Sequence, residues 1–429
     1  MRALFISNTF PADPRTSVYG AFNRMSLMLE AVKSLSDELE LFFFAPPGEE
    51  LPSQTRALEA TIAERWAPRA KVTVAPRSLP LTSRSFTAAY FSGLFEFTRL
   101  SHVFHAYFQT TGPDQIAALE SCLDRQPDWI FAHRLGAMAP LLLTRRALPP
   151  IIFDLDDVEH RSFMSQLGIQ PYWHGKLLCY LHVPSIMRGE RRAVRKARVT
   201  FVCSSGDRDY LRRFCGTQAV DVIPNSVVVP AVPPELVNEP TLVFIGSMTY
   251  LPNCDASDFL IESIWPLIRS VVPKASLLIV GAKPEQTRNY GKAVPGVSFT
   301  GFVADLAALY RRLRVVCCPI RAGGGTRIKI IEAAAYGKPV VATRIAASGL
   351  DFRDGEDILL RDSPSEFAAA CVTLLTSDDK CRALGAAARR TATRLYDRAT
   401  IAAVAKERVG AALPELYGSR DGSNRVSRP

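Results

Sequence analysis

Short apolar runs alternate with helical patterns along the whole chain, in two sets separated by a proline-rich stretch. This alternation constrains the fold most, because strands joined by crossover helices form parallel sheets covered on both faces. The first set is residues 3–6, 40–44, 129–132, 150–154 and 200–203, with a helix predicted over 21–34 and DVIPN at 221–225 as its end. Residues 226–240 hold four prolines without a clear period and predict a linker. The second set is 241–245, 276–280, 297–299, 315–318 and 339–342. The predicted organisation is α/β, with a first domain over 1–225 and a second over 241–396. A helix at about 397–413 would pack back on the first domain, and 414–429 would form a flexible tail. Two such halves put a cleft between them, where ligands commonly bind.

The 429 residues, 48% hydrophobic and 22% charged, exclude disorder, collagen and coiled coil for the bulk of the chain. No run approaches the roughly 18 apolar residues of a membrane span, and MRALFISNTFPADP reads as a buried strand rather than a signal peptide. Nine scattered cysteines without a CxxC pair predict a reduced, cytoplasmic protein with no zinc site and no disulfide framework. The net charge of +10 is shared: residues 1–225 carry 26 basic and 22 acidic groups, and the remainder 26 and 20. That spread argues against a nucleic-acid-binding domain and suits anionic substrates or an anionic membrane surface. Arg188–Arg198 is the densest basic run, either a solvated helix face or a patch for acidic lipid head groups. Residues 85–110 hold eight Phe and Tyr, either helices packed on the first domain or an acceptor lid or membrane-dipping surface.

The most informative segment is PIRAGGGTRIKIIEAAAYGKPVVAT, residues 319–343. It reads as strand, glycine-rich loop, helix, turn and strand. Gly323, Gly324 and Gly325 let the backbone approach a ligand and turn its N–H groups inward. Thr326 is the expected N-cap, the helix would run from Arg327 to about Tyr336, and Gly337 would stop it. A helix N-terminus behind three glycines is an anion site. Arg327 and Lys329 at that positive end are unfavourable unless an anion sits between them, which predicts a phosphate or diphosphate. Lys329 and Glu332 share a face, so the glutamate could reach a sugar hydroxyl while the lysine holds phosphate. The loop has neither GxGxxG nor GxxxxGK[ST] spacing, which argues against a nicotinamide dehydrogenase or a P-loop NTPase.

With these residues in view, the chain resembles the family 4 (group 1) glycosyltransferases of the GT-B fold. GGGTRIKIIEAAAYGKPVVAT resembles the family's nucleotide-sugar motif, as do FIGSM at 244–248, LPNCD at 251–255, SLLIVGA at 276–282, VSFTGFVAD at 297–305 and SGLDFRDGEDILL at 348–360. In the first half, CSSGDRDYL at 203–211 and VIPNSV at 222–227 are similar to the family's pre-linker segments. The resemblance implies two Rossmann-like domains with parallel sheets facing across a deep cleft. It implies metal-free transfer of a sugar from a nucleoside-diphosphate donor with retention, the donor on the second domain and the acceptor on the first. It places Glu332 at the donor ribose, the backbone of Val303 at the base, and Gly246 and Ser247 near the diphosphate. Many members carry a glutamate at the place of Gly324, so here backbone N–H groups would meet the sugar. Ser247 and Pro252 stand where many members have Arg and Lys, which leaves neutralisation of the leaving diphosphate to Arg327 and Lys329. Asp156 stands near a family histidine.

On the acceptor side, Asp154, Asp156, Asp157 and Glu159 cluster at a strand end, where open α/β sheets bind ligands. Asp156 could orient an acceptor hydroxyl or stabilise charge on the sugar; Asp156 or Asp157 could equally cap a helix. His133 follows another strand, as a structural or an acceptor-side group. Gly20, Asn23 and Arg24 lie in the first loop–helix turn, with Arg24 either an acceptor-binding cation or a surface charge. The expected partners are a nucleotide-sugar and a glycan or lipid-linked acceptor in surface polysaccharide or glycoconjugate synthesis, with no nucleic acid and no cofactor. Rival readings are a GT-B epimerase or phosphorylase and a non-catalytic nucleotide-sugar-binding subunit.

Overall fold

The computed structural model describes residues 1–8, 20–45, 60, 62, 71–76, 111–170, 172, 176–232 and 235–413. The aromatic segment 85–110, the tail 414–429 and most of the loop before Gly20 lie outside the described residues. The chain divides into two compact units. One takes in Met1–Asp156, Leu181–Ile223 and Ala402–Pro429; the other takes in Asp157–Tyr180 and Pro224–Ile401. Segment 157–180, part of the first half by sequence, thus belongs to the second unit.

The first unit holds β1 (Arg2–Ser7), β2 (Glu38–Ala45), β3 (Lys71–Pro76), β4 (Trp129–His133), β5 (Ile151–Asp156), β6 (Val199–Val202) and β7 (Val220–Val222). All pair in parallel, in the order β3-β2-β1-β4-β5-β6-β7. β2 reads ELELFFFA and is buried from Leu39 to Ala45, the signature of a strand covered on both faces. Its one internal charge, Glu40, is paired with Arg125. Phe5 stacks on Phe131 at 5.4 Å across β1 and β4. Full burial of each such ring contributes about 1.5–3 kcal/mol.

The second unit holds β8 (Thr241–Ile245), β9 (Ser276–Val280), β10 (Val297–Gly301), β11 (Val315–Cys318), β12 (Val340–Ala342) and β13 (Leu359–Leu360). These are also all parallel, in the order β10-β9-β8-β11-β12-β13. Its core is Val, Ile and Leu from the strands, packed with Trp265, Tyr310 and Phe367.

Each sheet therefore reverses its winding once, between β1 and β4 and between β8 and β11. The carboxyl ends of the strands at such a switch point form the ligand crevice of an open α/β sheet. In the first unit those ends carry Ser7 and His133; in the second they lead into Gly246 and into the glycine-rich loop.

The basic run forms the outer face of the Val183–Lys196 helix, which buries Val183, Ile186, Ala193 and Val194 and exposes Arg191, Arg192, Arg195 and Lys196. The last described helix, Arg398–Ala411, joins the first unit from Ala402, where Arg408 donates to Asp221 at 3.0 Å. Among the described residues no helix is long and apolar enough to cross a membrane.

Candidate active site

The glycine-rich loop leaves the end of β11 and enters a helix over Ile328–Ala335. Gly337, at φ 67°, ends that helix, and its N–H donates to Ala334 O at 2.8 Å. The expected N-cap is corrected: Arg327 holds that position without a side-chain cap. Thr326 Oγ1 instead accepts from Asn225 Nδ2 at 2.8 Å, which turns its hydroxyl away from the helix amides. The loop amides already have partners. Gly323 N donates to Ser165 Oγ at 2.7 Å and Gly324 N to Ser162 Oγ at 3.1 Å. Both serines sit on the helix Glu159–Leu167, so their hydroxyls occupy the positions a bound anion would take.

Arg327 is buried and folds back on the loop, donating to the carbonyls of Gly324, Gly325 and Ala322. Its Nε has no partner among the described residues. In this arrangement the guanidinium organises the loop, and the cation beside it is Lys329. Lys329 Nζ donates to Asn253 Oδ1 at 2.8 Å and lies 4.5 Å from the centre of the Phe244 ring. Burial lowers its pKa to about 8, and Arg327 pushes the same way. Gly246 is what lets these groups meet: a Cβ there would lie 2.7 Å from both Lys329 Nζ and Asn253 Nδ2. Asn253 also donates to Ser247 O at 2.7 Å, tying the turn after β8 to the lysine.

Glu332 lies one turn further along the helix, and its carboxylate makes no hydrogen bond or ion pair with a described residue. Burial raises its pKa to about 7 against the opposing pull of Lys329. Both side chains keep some exposed surface, so neither is sealed in the core. Val303 lies between β10 and the helix Leu306–Arg311, partly buried against the core, with Phe302 beside it 47% exposed. A desolvated lysine, an unpaired carboxylate and a glycine loop thus converge at the switch point of the second sheet. That set can hold an anion and a hydroxyl together.

Residues 239–377 match the family described as Glycosyl transferases group 1. The whole chain is also similar in fold to solved structures. Sucrose-phosphate synthase from Thermosynechococcus elongatus aligns with a TM-score of 0.69 at 16% identity, over 98% of this chain and 100% of that one. The Anabaena Alr3699/HepE complex with UDP-glucose aligns at 0.62 and 16% identity, over 96% and 100%.

Residues 239–377 are thus a group 1 glycosyltransferase domain, in a chain with the fold of its solved neighbours.

A phosphatidyl-myo-inositol mannosyltransferase of Mycobacterium leprae is 33% identical over 198 residues, 44% of this chain and 52% of that protein. The chain thus matches about half the length of this curated relative.

The sequence-predicted acceptor-side residues fall on the first unit. Arg24 is corrected: it is neither a surface charge nor an acceptor-binding cation. Its side chain and that of Asp154 are both 0% exposed, 2.6 Å apart, and Arg24 also donates to Ile223 O at 2.8 Å. Burial works against both charges. Yet Asp154 and Asp156 raise the arginine's pKa, while Arg24 and the His133 ring hold the Asp154 carboxyl below its usual range. His133 Nδ1 lies 2.9 Å from Asp154 Oδ2, and His133 Nε2 is buried without a partner among the described residues. Asp156 does not cap the following helix, whose N-cap is Val158. It pairs with Arg24 at 3.3 Å at a φ of 66°, a left-handed backbone that costs energy and concentrates at functional sites. Gly20 opens the first helix and Asn23 is half-buried one turn along.

Ser162, Ser165 and Tyr250 at the glycine-rich loop escape sequence reasoning, and Asp157 and Asn253 are not placed beside it by sequence, because only the fold brings them together. Asp157 has the sharpest consequence. A Cβ on Gly324 would lie 2.3 Å from Asp157 Oδ1 and 2.7 Å from Oδ2. A carboxylate from another part of the chain therefore fills the space of a side chain at 324. Gly324→Ala is expected to destabilise by about 1–3 kcal/mol, with most of the loss recovered when combined with Asp157→Ala. Urea unfolding of the two single variants and the double variant checks this; additive losses would refute the contact.

Proposed function

We propose that this glycosyltransferase moves a sugar from a nucleoside-diphosphate sugar to a hydroxyl of a glycan or glycolipid acceptor, with retention and without a metal. The observation that carries the reading is Lys329 and Glu332 on one helix behind Gly323–Gly325, both desolvated, with the carboxylate unpaired. The mannosyltransferase relative supports sugar transfer, and the fold neighbours solved with UDP or UDP-glucose support a nucleotide-sugar donor.

In the proposed reaction Glu332 accepts a ribose hydroxyl, and Lys329 faces the diphosphate. The bond from the anomeric carbon to the diphosphate oxygen breaks as the acceptor hydroxyl attacks the same face. The proton of that hydroxyl passes to the departing diphosphate. Lys329 and the helix N-terminus stabilise the charge that develops there, the kind of preorganised electrostatics that dominates such steps. Gly323 N and Gly324 N exchange the serine hydroxyls for phosphate oxygens. Asp156 faces the acceptor side, and the buried Asp154–His133 pair supports the strand end behind it. The proposed setting is surface glycan or glycoconjugate synthesis in the cytoplasm, with exposed Arg191, Arg192, Arg195 and Lys196 offering peripheral contact to acidic lipid.

Slow hydrolysis of a nucleotide-sugar without acceptor is the test. Release of free sugar retaining the donor's anomeric configuration is expected from the wild type and not from Glu332→Ala. Nucleotide binding without sugar release from any donor would instead favour a non-catalytic binding subunit.

A further inference from the structure

A cavity of about 630 Å³ opens in the second unit, walled by the turn Gly337–Pro339, residues Glu235 and Leu236, and one face of the helix Asp378–Tyr396. None of the donor-site residues lines it. Its volume is that of a small-molecule site. Its lining is strongly one-signed. Arg314, Lys338, Arg382, Arg389, Arg390 and Arg394 line it with one acidic residue, Glu235, while Asp378 and Asp379 pair with Arg314 and Arg382 at its edge.

Lys338 is 3% exposed, and among the described residues its ammonium donates only to the Glu235 main-chain oxygen, at 3.3 Å. No described carboxylate pairs with it, and burial lowers its pKa to about 8. A buried ammonium holding one long bond to a neutral carbonyl is poorly compensated. The helix face above it repeats the pattern. Arg390 and Arg394 are four residues apart and exposed, an arrangement that repels on a helix unless an anion lies between the two. Ala386 and Thr393 between the arginines are small and leave the cavity open. The remaining cations are committed. Arg314 donates to Leu374 O, Val237 O and Asp378, Arg382 pairs with Asp378 and Asp379, and Arg389 bonds the carbonyls of Ala335 and Pro230. Those bonds fix the walls and leave Lys338, Arg390 and Arg394 for a ligand.

We propose that this cavity is a second anion site, separate from the donor site, that binds a phosphate ester through Lys338, Arg390 and Arg394. The ester is carried either by a soluble phosphorylated molecule or by a phospholipid head group. Three cationic donors around a cavity of this size match the several acceptor oxygens of a phosphate.

The test uses the full chain carrying Lys329→Ala, so that donor-site binding is weakened. Calorimetric titration with inorganic phosphate is one arm; co-sedimentation with phosphatidylglycerol vesicles, against phosphatidylcholine vesicles, is the other. Binding is expected in at least one arm. Adding Arg390→Gln and Arg394→Gln is expected to weaken it about tenfold or more, as for loss of charge-assisted hydrogen bonds. Lys338→Met is expected to do the same; the exposed arginine pair keeps the test intact if that buried substitution unfolds the chain. Phosphate binding without vesicle binding assigns a soluble ester, and arginine-dependent binding to phosphatidylglycerol assigns a head group. Binding that the Arg390 and Arg394 changes leave unaltered, or no binding in either arm, overturns the proposal.

Discussion

Replacing Asp154 by alanine is expected to destabilise the first unit by about 3 kcal/mol, because it takes the closest carboxylate from a buried Arg24 and leaves Asp156 at 3.3 Å to compensate the charge. The two side chains are both 0% exposed and 2.6 Å apart. The same change takes the partner from His133 Nδ1. Replacing both charges together, Arg24→Met with Asp154→Leu, is expected to cost much less than either alone, since a buried pair pays for desolvation twice. The pair also sets an acid limit. The Asp154 carboxyl is held below its ordinary range, so its contribution is complete above the unfolded carboxylate pKa of about 3.9 and is lost as pH falls through the lowered value. Urea unfolding at pH 7 and at pH 3 reads both effects. An Asp154→Ala protein as stable as wild type at pH 7 would remove the ion pair from the account.

Replacing Lys329 by methionine is expected to lower turnover by about 10²–10³-fold, the usual cost of removing one preorganised group that stabilises developing negative charge. The effect should carry its own pH signature. With a pKa lowered to about 8, Lys329 is charged at pH 7 and loses its proton as the pH rises past 8. Affinity for a diphosphate is therefore expected to fall by up to about tenfold per pH unit above 8, and Lys329→Met is expected to flatten that slope. Stability runs the other way. A lysine with a depressed folded pKa contributes most above its unfolded pKa of about 10.4, and that contribution is lost as pH falls through about 8. At pH 7 the charged lysine is a burden on the free protein. Lys329→Met should then melt no lower than wild type while binding donor far more weakly, the trade expected of a group kept for function.

Five of the six strands of the second unit are readable, two of them because the runs TLVFI and VVCC are apolar on both faces, as a doubly covered parallel sheet requires. β3 was not. KVTVAP is exposed at Lys71 and half-buried over the next three residues, so it lacks a continuous apolar run, and β13 is only two residues long. The glycine loop was visible because three glycines and two cations at a helix start conflict with local electrostatics unless a ligand is present. Its partners were not visible, since Asp157 and Ser162 reach Gly324 across more than 160 residues of sequence. Arg24 shows the same limit. A lone arginine on a first helix gives no sign that it meets Asp154, 130 residues away, in the core. Periodicity reports which face is buried; it does not report which buried charge meets which.

The most direct test of the central claim is calorimetric titration of the full chain with UDP, GDP, ADP and TDP, on wild type and on the Lys329→Ala, Glu332→Ala double variant. Tight binding of one nucleoside diphosphate by wild type, lost in the double variant, is the predicted result, and it names the base of the donor. Binding of none of them, or equal binding by the double variant, would contradict the assignment of the loop at Gly323 and the helix carrying Lys329 and Glu332 as the donor site.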